Sequence, residues 1–429
     1  MNVGSLWESL VPPEAAYDPL TREVDADLVI VGAGFLGLST ALHATELGLE
    51  VVLLESRQPG YGASGRNTGF VVPSLKSSLG PQEVIRALGE THAQRLLKLV
   101  AGSGDLIFNL IDRHGIECGA VRNGWLQPAH SNAAEEMLHS RMPRLLDAGV
   151  AAEWLDRKVM FERTGLEALH GGIRVATGGQ ITPLAYALGL ARAATAGGVR
   201  IFGDSPATAF ENRGVGWIVR TVRGSVRTKR VIMTTNALIG NLLPELRASI
   251  ILAKVFQIAT QVMPREIQDR LLPDMAPVAD TRRHTFALRW SPDGRLVTGG
   301  MVPPVPGRMA LAHKLFANRL KRFVPGLPEV RVEYSWTGVI AGTLDFLPRL
   351  MRIRPGIDAV IGCNGRGVAL TTALGREVAQ WSAGQVDEGD MTLQVTPPRP
   401  IPFSGISGAA PQLILPIWEI RDAYEARFK

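Results

Sequence analysis

The chain has 429 residues, 46% hydrophobic and 20% charged, an ordinary globular composition with length for two or three domains of ~150 residues. A core of this size needs no staple, and Cys118 and Cys363 form no CxxC or Cys/His cluster, which argues against a disulfide framework and against any metal site. The net charge of +6 is modest and not gathered in one tail, so nucleic acid is not expected as a partner and an anionic substrate or cofactor is the sharper use for it.

Residues 1–27 carry Glu8, Glu14, Asp18 and Glu23 with prolines at 12, 13 and 19, unlike a secretory signal. The apolar stretch 28–42 is broken by glycine and shorter than a ~20-residue membrane span. Four prolines interrupt the uncharged stretch 400–418, at 400, 402, 411 and 416. A soluble, cytoplasmic protein without membrane contact is the expectation.

Leu28–Val31 is a continuous aliphatic run, read as a strand buried on both faces. Gly32-Ala33-Gly34-Phe35-Leu36-Gly37 follows, then a helix over 38–47 stopped by Gly48, then a second buried strand, Val51–Leu54, ending on Glu55. This is a βαβ unit with a GxGxxG turn. Gly32 permits the tight turn, Gly34 the close approach of backbone amides to a pyrophosphate, and Gly37 the packing of helix on sheet. The helix N-terminus favours the phosphates, and Glu55 can accept from ribose hydroxyls. The motif does not choose between NAD and FAD. The segment 60–70, GYGASGRNTGF, is too long and polar for a simple connection and suits a second region of cofactor contact.

From this loop onward the chain resembles the FAD-dependent D-amino-acid oxidase and sarcosine oxidase (DAO) superfamily, and within it most of all the gamma-glutamylputrescine oxidase-like branch. The match runs over most of the chain. The resemblance implies an α/β plus α+β architecture, a Rossmann-like FAD-binding domain interleaved with a mainly antiparallel-sheet substrate domain. The first would hold residues 1–82, 171–238 and 335–429, the second 83–170 and 239–334. It implies cofactor contacts at Gly32, Gly34, Phe35, Leu36 and Gly37, at Glu55, Ser56 and Arg57, and at Ala63, Ser64, Gly65, Arg66, Asn67, Thr68 and Gly69.

Residues 84–114 read as helix, 119–129 as strand and 132–148 as a charged helix. Thr182 and Pro183 open a helix through Ala196. In SPATAF, 205–210, the resemblance places the adenine against Ala207, and in TTNA, 234–237, it places the cofactor beside Thr235, with Asn236 standing where relatives have glycine. Short strands follow over 248–298, with Ser291-Pro292-Asp293-Gly294 as a hairpin turn. They suggest an antiparallel sheet distinct from the parallel one, and the resemblance implies that it roofs the flavin. His284 and Arg289 on it, with Trp336, are candidate substrate contacts, because an arginine can clamp a carboxylate with two bonds.

The segments WTGVIAGTLDFLP, 336–348, and CNGRGVALT, 363–371, resemble the superfamily's C-terminal block and imply cofactor contacts at Gly338, Gly365, Arg366, Gly367, Val368, Leu370 and Thr371. Here a glycine turn opens the helix 368–382, whose positive end would stabilise charge on a reduced flavin pyrimidine ring. The sarcosine oxidases it resembles hold flavin covalently through a cysteine in the C-terminal segment; the nearest stretch here, 336–339, holds none, so the resemblance implies non-covalent FAD, and Cys363 is read as an inert small residue. The strand 295–300 lacks the lysine that sarcosine oxidases place over the flavin, which leaves O2 and a redox carrier both open as acceptor. No side-chain base stands out. The expected activity is oxidation of a C–N bond in an amine or amino acid. The alternative is an FAD-dependent dehydrogenase of another donor, such as a 2-hydroxy acid, feeding a quinone or carrier.

Overall fold

The computed structural model describes residues 4–76, 79–301, 308–402 and 413–425. Alternation along the first strands divides their side chains between two cores. Leu28, Ile30, Val51 and Leu53 pack toward helices, whereas Val29, Val31, Val52 and Leu54 pack with Val24, Trp217, Val219 and Val226 of a second sheet. Strands covered on both faces must be apolar at every position, hence the unbroken runs in sequence.

These strands sit in a seven-stranded sheet ordered Val395–Thr396, Arg349–Arg354, Ile357–Ile361, Arg230–Met233, Leu28–Val31, Val51–Leu54, Arg200–Phe202. The last five run parallel, and Arg349–Arg354 pairs antiparallel with Ile357–Ile361. The helices Phe35–Glu46, Pro183–Ala196 and Gly367–Ser382 share the core on one side, and the first packs against the third. A small sheet, Glu23–Asp25, Ser225–Thr228, Trp217–Arg220 and Ala209–Asn212, covers the other side.

An eight-stranded, mainly antiparallel sheet is ordered Val332–Gly342, Ile251–Val262, Arg295–Met301, Ala287–Trp290, Val278–Ala279, Trp125–Pro128, Gly172–Val175, Ala152–Leu155. The 291–294 turn joins two of its neighbours, as the sequence predicts. The fold is therefore the expected one, a Rossmann-like parallel unit interleaved with an antiparallel one. Its sheets cross the expected boundaries, however: Gly172–Val175 lies in the antiparallel sheet, and Val332–Gly342 runs through position 335. The stretch 84–114 forms three helices, Pro81–Leu88, Glu90–Ala101 and Ser103–His114, divided at Gly89 and Gly102. The second and third pack on Gly367–Ser382, within the core of the parallel unit. The strand expected over 119–129 shortens to Trp125–Pro128. Of the uncharged stretch 400–418, residues 403–412 lie outside the described residues, and a helix, Leu415–Glu425, follows. Among the described residues no helix is long and apolar enough to cross a membrane.

Candidate active site

A cavity of about 370 Å³ lies between the two large sheets, with walls from Gly34 and Ser64 through Asn236 and Gly365 to His284 and Trp418. Two helices begin on it. Phe35–Glu46 starts three residues earlier than the sequence reading put it, so the second half of the fingerprint is its first turn. Its cap, Gly34, has no side chain to offer the terminal amides. A Cβ on Gly34 would lie 2.9 Å from Ser64 Oγ, which accepts from the Phe35 amide at 3.0 Å. Gly367–Ser382 begins beside Cys363, Gly365 and Arg366 in the wall, and it too lacks a capping side chain. Uncapped helix starts leave amide donors free and carry a positive dipole end.

The loop after Gly60 is fixed from within and from behind. Asn67 Nδ2 donates to the carbonyls of Ala63 (3.1 Å) and Ser64 (2.8 Å), and its Oδ1 accepts from the Gly69 amide at 2.7 Å. Three consecutive carbonyls then accept from buried side chains. Arg66 O takes Gln257 Nε2 (3.0 Å) and Trp336 Nε1 (2.8 Å), Asn67 O takes Trp7 Nε1 (2.9 Å), and Thr68 O takes Arg289 (2.8 Å). This corrects two expectations. Arg289 and Trp336 do not line the cavity; they hold the loop that does. Arg289 also donates to Ile181 O at 2.6 Å and to Trp290 O at 2.9 Å, and burial pulls its guanidinium down to about 9.

Glu55 stands at the end of its strand outside the cavity wall. One carboxylate oxygen accepts from the Ala33 amide at 2.8 Å, the other from the Arg57 amide and Ser56 hydroxyl at 3.0 Å. Ala207 does not line the cavity; two residues before it, the Ser205 amide donates to Glu55 O at 2.8 Å. Thr234 and Asn236 face the cavity, whereas Thr235, the expected contact, does not line it. Asn236 fits the glycine position because it adopts the left-handed region, φ 46°. Its amide group reaches Cys363 Sγ at 3.3 Å and accepts from the Gly362 amide at 3.3 Å, tying two turns together.

Of the other expected contacts, Gly34, Phe35, Leu36, Ala63, Ser64, Arg66, Asn67 and Thr68 line the cavity, as do Gly338, Gly365, Arg366, Gly367, Val368, Leu370 and Thr371. Gly32, Gly37, Gly65 and Gly69 pack behind the wall, whereas Ser56 and Arg57 are exposed and do not line it. His284 lines the far end. Its Nδ1 bonds Glu419 Oε1 at 2.8 Å and its amide donates to Asp422 at 3.1 Å, while burial lowers its pKa and Nε2 finds no partner among the described residues. Arg283 pairs there with Asp422 (3.0 Å) and Glu425 (2.8 Å). His130, Asp422 and Glu425 bring ligand atoms within 4.8 Å of one another, but both carboxylates already hold Arg283, so the group reads as an ion-pair network. Lys76, Gln257 and Trp418 complete the wall and were not read from sequence, because no local motif marks them.

The cavity suits a dinucleotide with a polar planar ring. One uncapped helix start and the Ser64 loop form a cradle that a Cβ at Gly34 would crowd, a second uncapped helix start opens farther along, and among the described residues no carboxylate lines the space. Together with the two sheets this defines a flavin-dependent oxidoreductase. The family model described as FAD dependent oxidoreductase (DAO) matches residues 27–381, and the chain belongs to that family. It is 31% identical over 370 residues to the "Probable oxidoreductase OrdL" of Haemophilus influenzae, covering 85% of this chain and 84% of that one. It is 30% identical over 391 residues to the gamma-glutamylputrescine oxidoreductase of Escherichia coli, covering 91% of each. Among solved structures, glycine oxidase from Geobacillus kaustophilus matches with a TM-score of 0.68 at 20% identity, over 84% of this chain and 95% of that one.

Proposed function

We propose that the protein oxidises a C–N bond of a small amine or amino acid, using non-covalent FAD. The observation that carries this is the cavity: two uncapped helix starts and the Ser64–Thr68 loop open on one space, in a chain whose relatives include a gamma-glutamylputrescine oxidoreductase. FAD bound there would accept a hydride from the carbon next to nitrogen, and the imine released would hydrolyse to a carbonyl compound and an amine. The chain's own share is positioning and exclusion of water. Gly34, Ser64 and the fixed loop hold the pyrophosphate end, Glu55 the ribose, and Gly365 to Thr371 the pyrimidine edge. His284, neutral through burial, presents Nε2 to the donor without carrying charge.

The same reading assigns the parallel unit to cofactor binding and the antiparallel unit, whose sheet takes in Gly172–Val175 and the whole of Val332–Gly342, to substrate binding, in a cytoplasmic enzyme. It is tested by anaerobic mixing with a panel of amines, amino acids and 2-hydroxy acids. Amines or amino acids bleach the oxidised flavin. Reduction by hydroxy acids alone, or by nothing in the panel, overturns the reading. Peroxide yield per turnover, with and without an artificial quinone, then identifies O2 or a carrier as acceptor.

A further inference from the structure

The helix Leu415–Glu425 is amphipathic the wrong way round for a helix on a protein surface. Its three acids turn inward: Glu419 onto His284 at 2.8 Å, Asp422 onto Arg283 at 3.0 Å and Glu425 onto Arg283 at 2.8 Å. Its outer side is aliphatic. Ile417 and Ile420 are 62% and 72% exposed, and Leu413, just before the helix, is exposed as well. A surface helix ordinarily buries such a stripe and shows its charges. The neighbouring helix, Arg308–Phe323, continues this face. Its Arg319 donates to the His284 carbonyl, on the residue that Glu419 holds. By helical spacing Leu311, Leu315 and Arg322 share the flank next to Arg319, and all three are exposed.

The charge around these aliphatic side chains is of one sign. Residues 311–323 hold Lys314, Arg319, Lys321 and Arg322 and no acid. Lys314, Lys321 and Arg322 are exposed, and none meets a carboxylate among the described residues. Arg421, exposed between the isoleucines and the helix end, reaches Glu425 at 3.8 Å, a carboxylate that Arg283 holds closer. Single exposed leucines need no explanation, but an apolar stripe rimmed by unanswered cations is the pattern of a helix that lies in a bilayer interface. The cations meet anionic headgroups while the aliphatic side chains reach the acyl boundary. A second copy of the chain fits this face less well. A two-fold contact would set the same cations against one another, with the acids turned away.

We infer that the outer face of Leu415–Glu425 and Arg308–Phe323 docks the protein on the surface of an anionic lipid bilayer, without crossing it. The expectation of no membrane contact rested on the lack of a spanning segment, which a helix lying in the interface does not need. Trp418, on the inner side of the same helix, lines the cavity, so docking brings that end of the cavity within about 10 Å of the lipid, one helix diameter. The inference stands apart from the proposed C–N oxidation. The FAD-loaded protein is spun with sucrose-filled vesicles, either of phosphatidylcholine or of an equal mixture of phosphatidylcholine and phosphatidylglycerol. Binding to the mixture is expected to be at least about tenfold tighter and to weaken as salt rises. The pairs Ile417→Glu with Ile420→Glu, and Lys321→Glu with Arg322→Glu, each weaken it about tenfold or more while the flavin-to-protein ratio stays unchanged. Failure of the unaltered protein to sediment with the anionic vesicles overturns the inference, as does equal binding to both kinds of vesicle. Unchanged binding by both variants overturns the assignment to this face. So does a dimer in lipid-free solution, read by light scattering, that the isoleucine variant splits, because a second copy would then occupy the face. If a variant loses flavin, the vesicle comparison on the unaltered protein still decides.

Discussion

Arg289 shows how a single buried charge can serve a site it never touches. Its guanidinium spans the carbonyls of Thr68, Ile181 and Trp290, and it lies 5.1 Å from the Trp7 ring. Arg289→Met would leave three buried acceptors without this donor, at a net cost of about 1–3 kcal/mol. The expected result is a lower thermal midpoint together with partial loss of FAD, read by melting and by the flavin-to-protein absorbance ratio. Arg289→Lys recovers only part, because one ammonium cannot reproduce the planar fork. A variant that melts lower but keeps full FAD would separate the arginine from the loop. Trp336 belongs to the same class: it donates to Arg66 O and packs edge-on against Trp7.

At the scale of elements, the site depends on where two helices begin. Gly37 lies where Phe35–Glu46 presses on the sheet. A Cβ there would overlap the Gly32 carbonyl oxygen and come within 2.7 Å of Thr234 Oγ1. Gly37→Ala must therefore push the helix off its strand, costing about 1–3 kcal/mol and displacing the Gly34 amides. We expect it to be purified with little flavin and to need much higher FAD to reconstitute, which a fluorescence titration of the apoprotein measures. The helix Leu415–Glu425 reaches the same cavity by other means. It places Trp418 in the wall and secures itself through Glu419 on His284 and Asp422 and Glu425 on Arg283.

At the scale of the whole molecule, four histidines, three buried and His313 half-buried, set the response to acid. His43, His130, His284 and His313 all have pKa values lowered from 6.5, chiefly by burial. A group with a depressed folded pKa contributes stability that is present above its unfolded value and lost as pH falls through the folded one. The thermal midpoint should therefore fall as pH is lowered from neutrality through 6.5. Asp358 and Glu377, raised mainly by burial, act in the opposite sense and are outnumbered. Melting curves across this range check the sign, and His43→Gln should flatten the slope. A midpoint that rises toward acid would contradict it.

The sequence by itself determined the parallel unit, its glycine turn, the Ser64 loop and the C-terminal glycine turn. Strand periodicity, helix starts and turn residues are local, so their physics is complete within a few positions. It also supplied the antiparallel partner, because the short strands and the 291–294 turn are local too. Only the tertiary structure decided what Arg289 and Trp336 do, since each meets a loop more than 200 residues away. The same holds for the placement of Lys76 and Trp418 in the wall, which no neighbouring residue specifies. These depend on how two sheets and a late helix close on one cavity. The +6 charge acquires a place there: of the cations in that wall, Lys76 and Arg366 are the two without a carboxylate partner among the described residues.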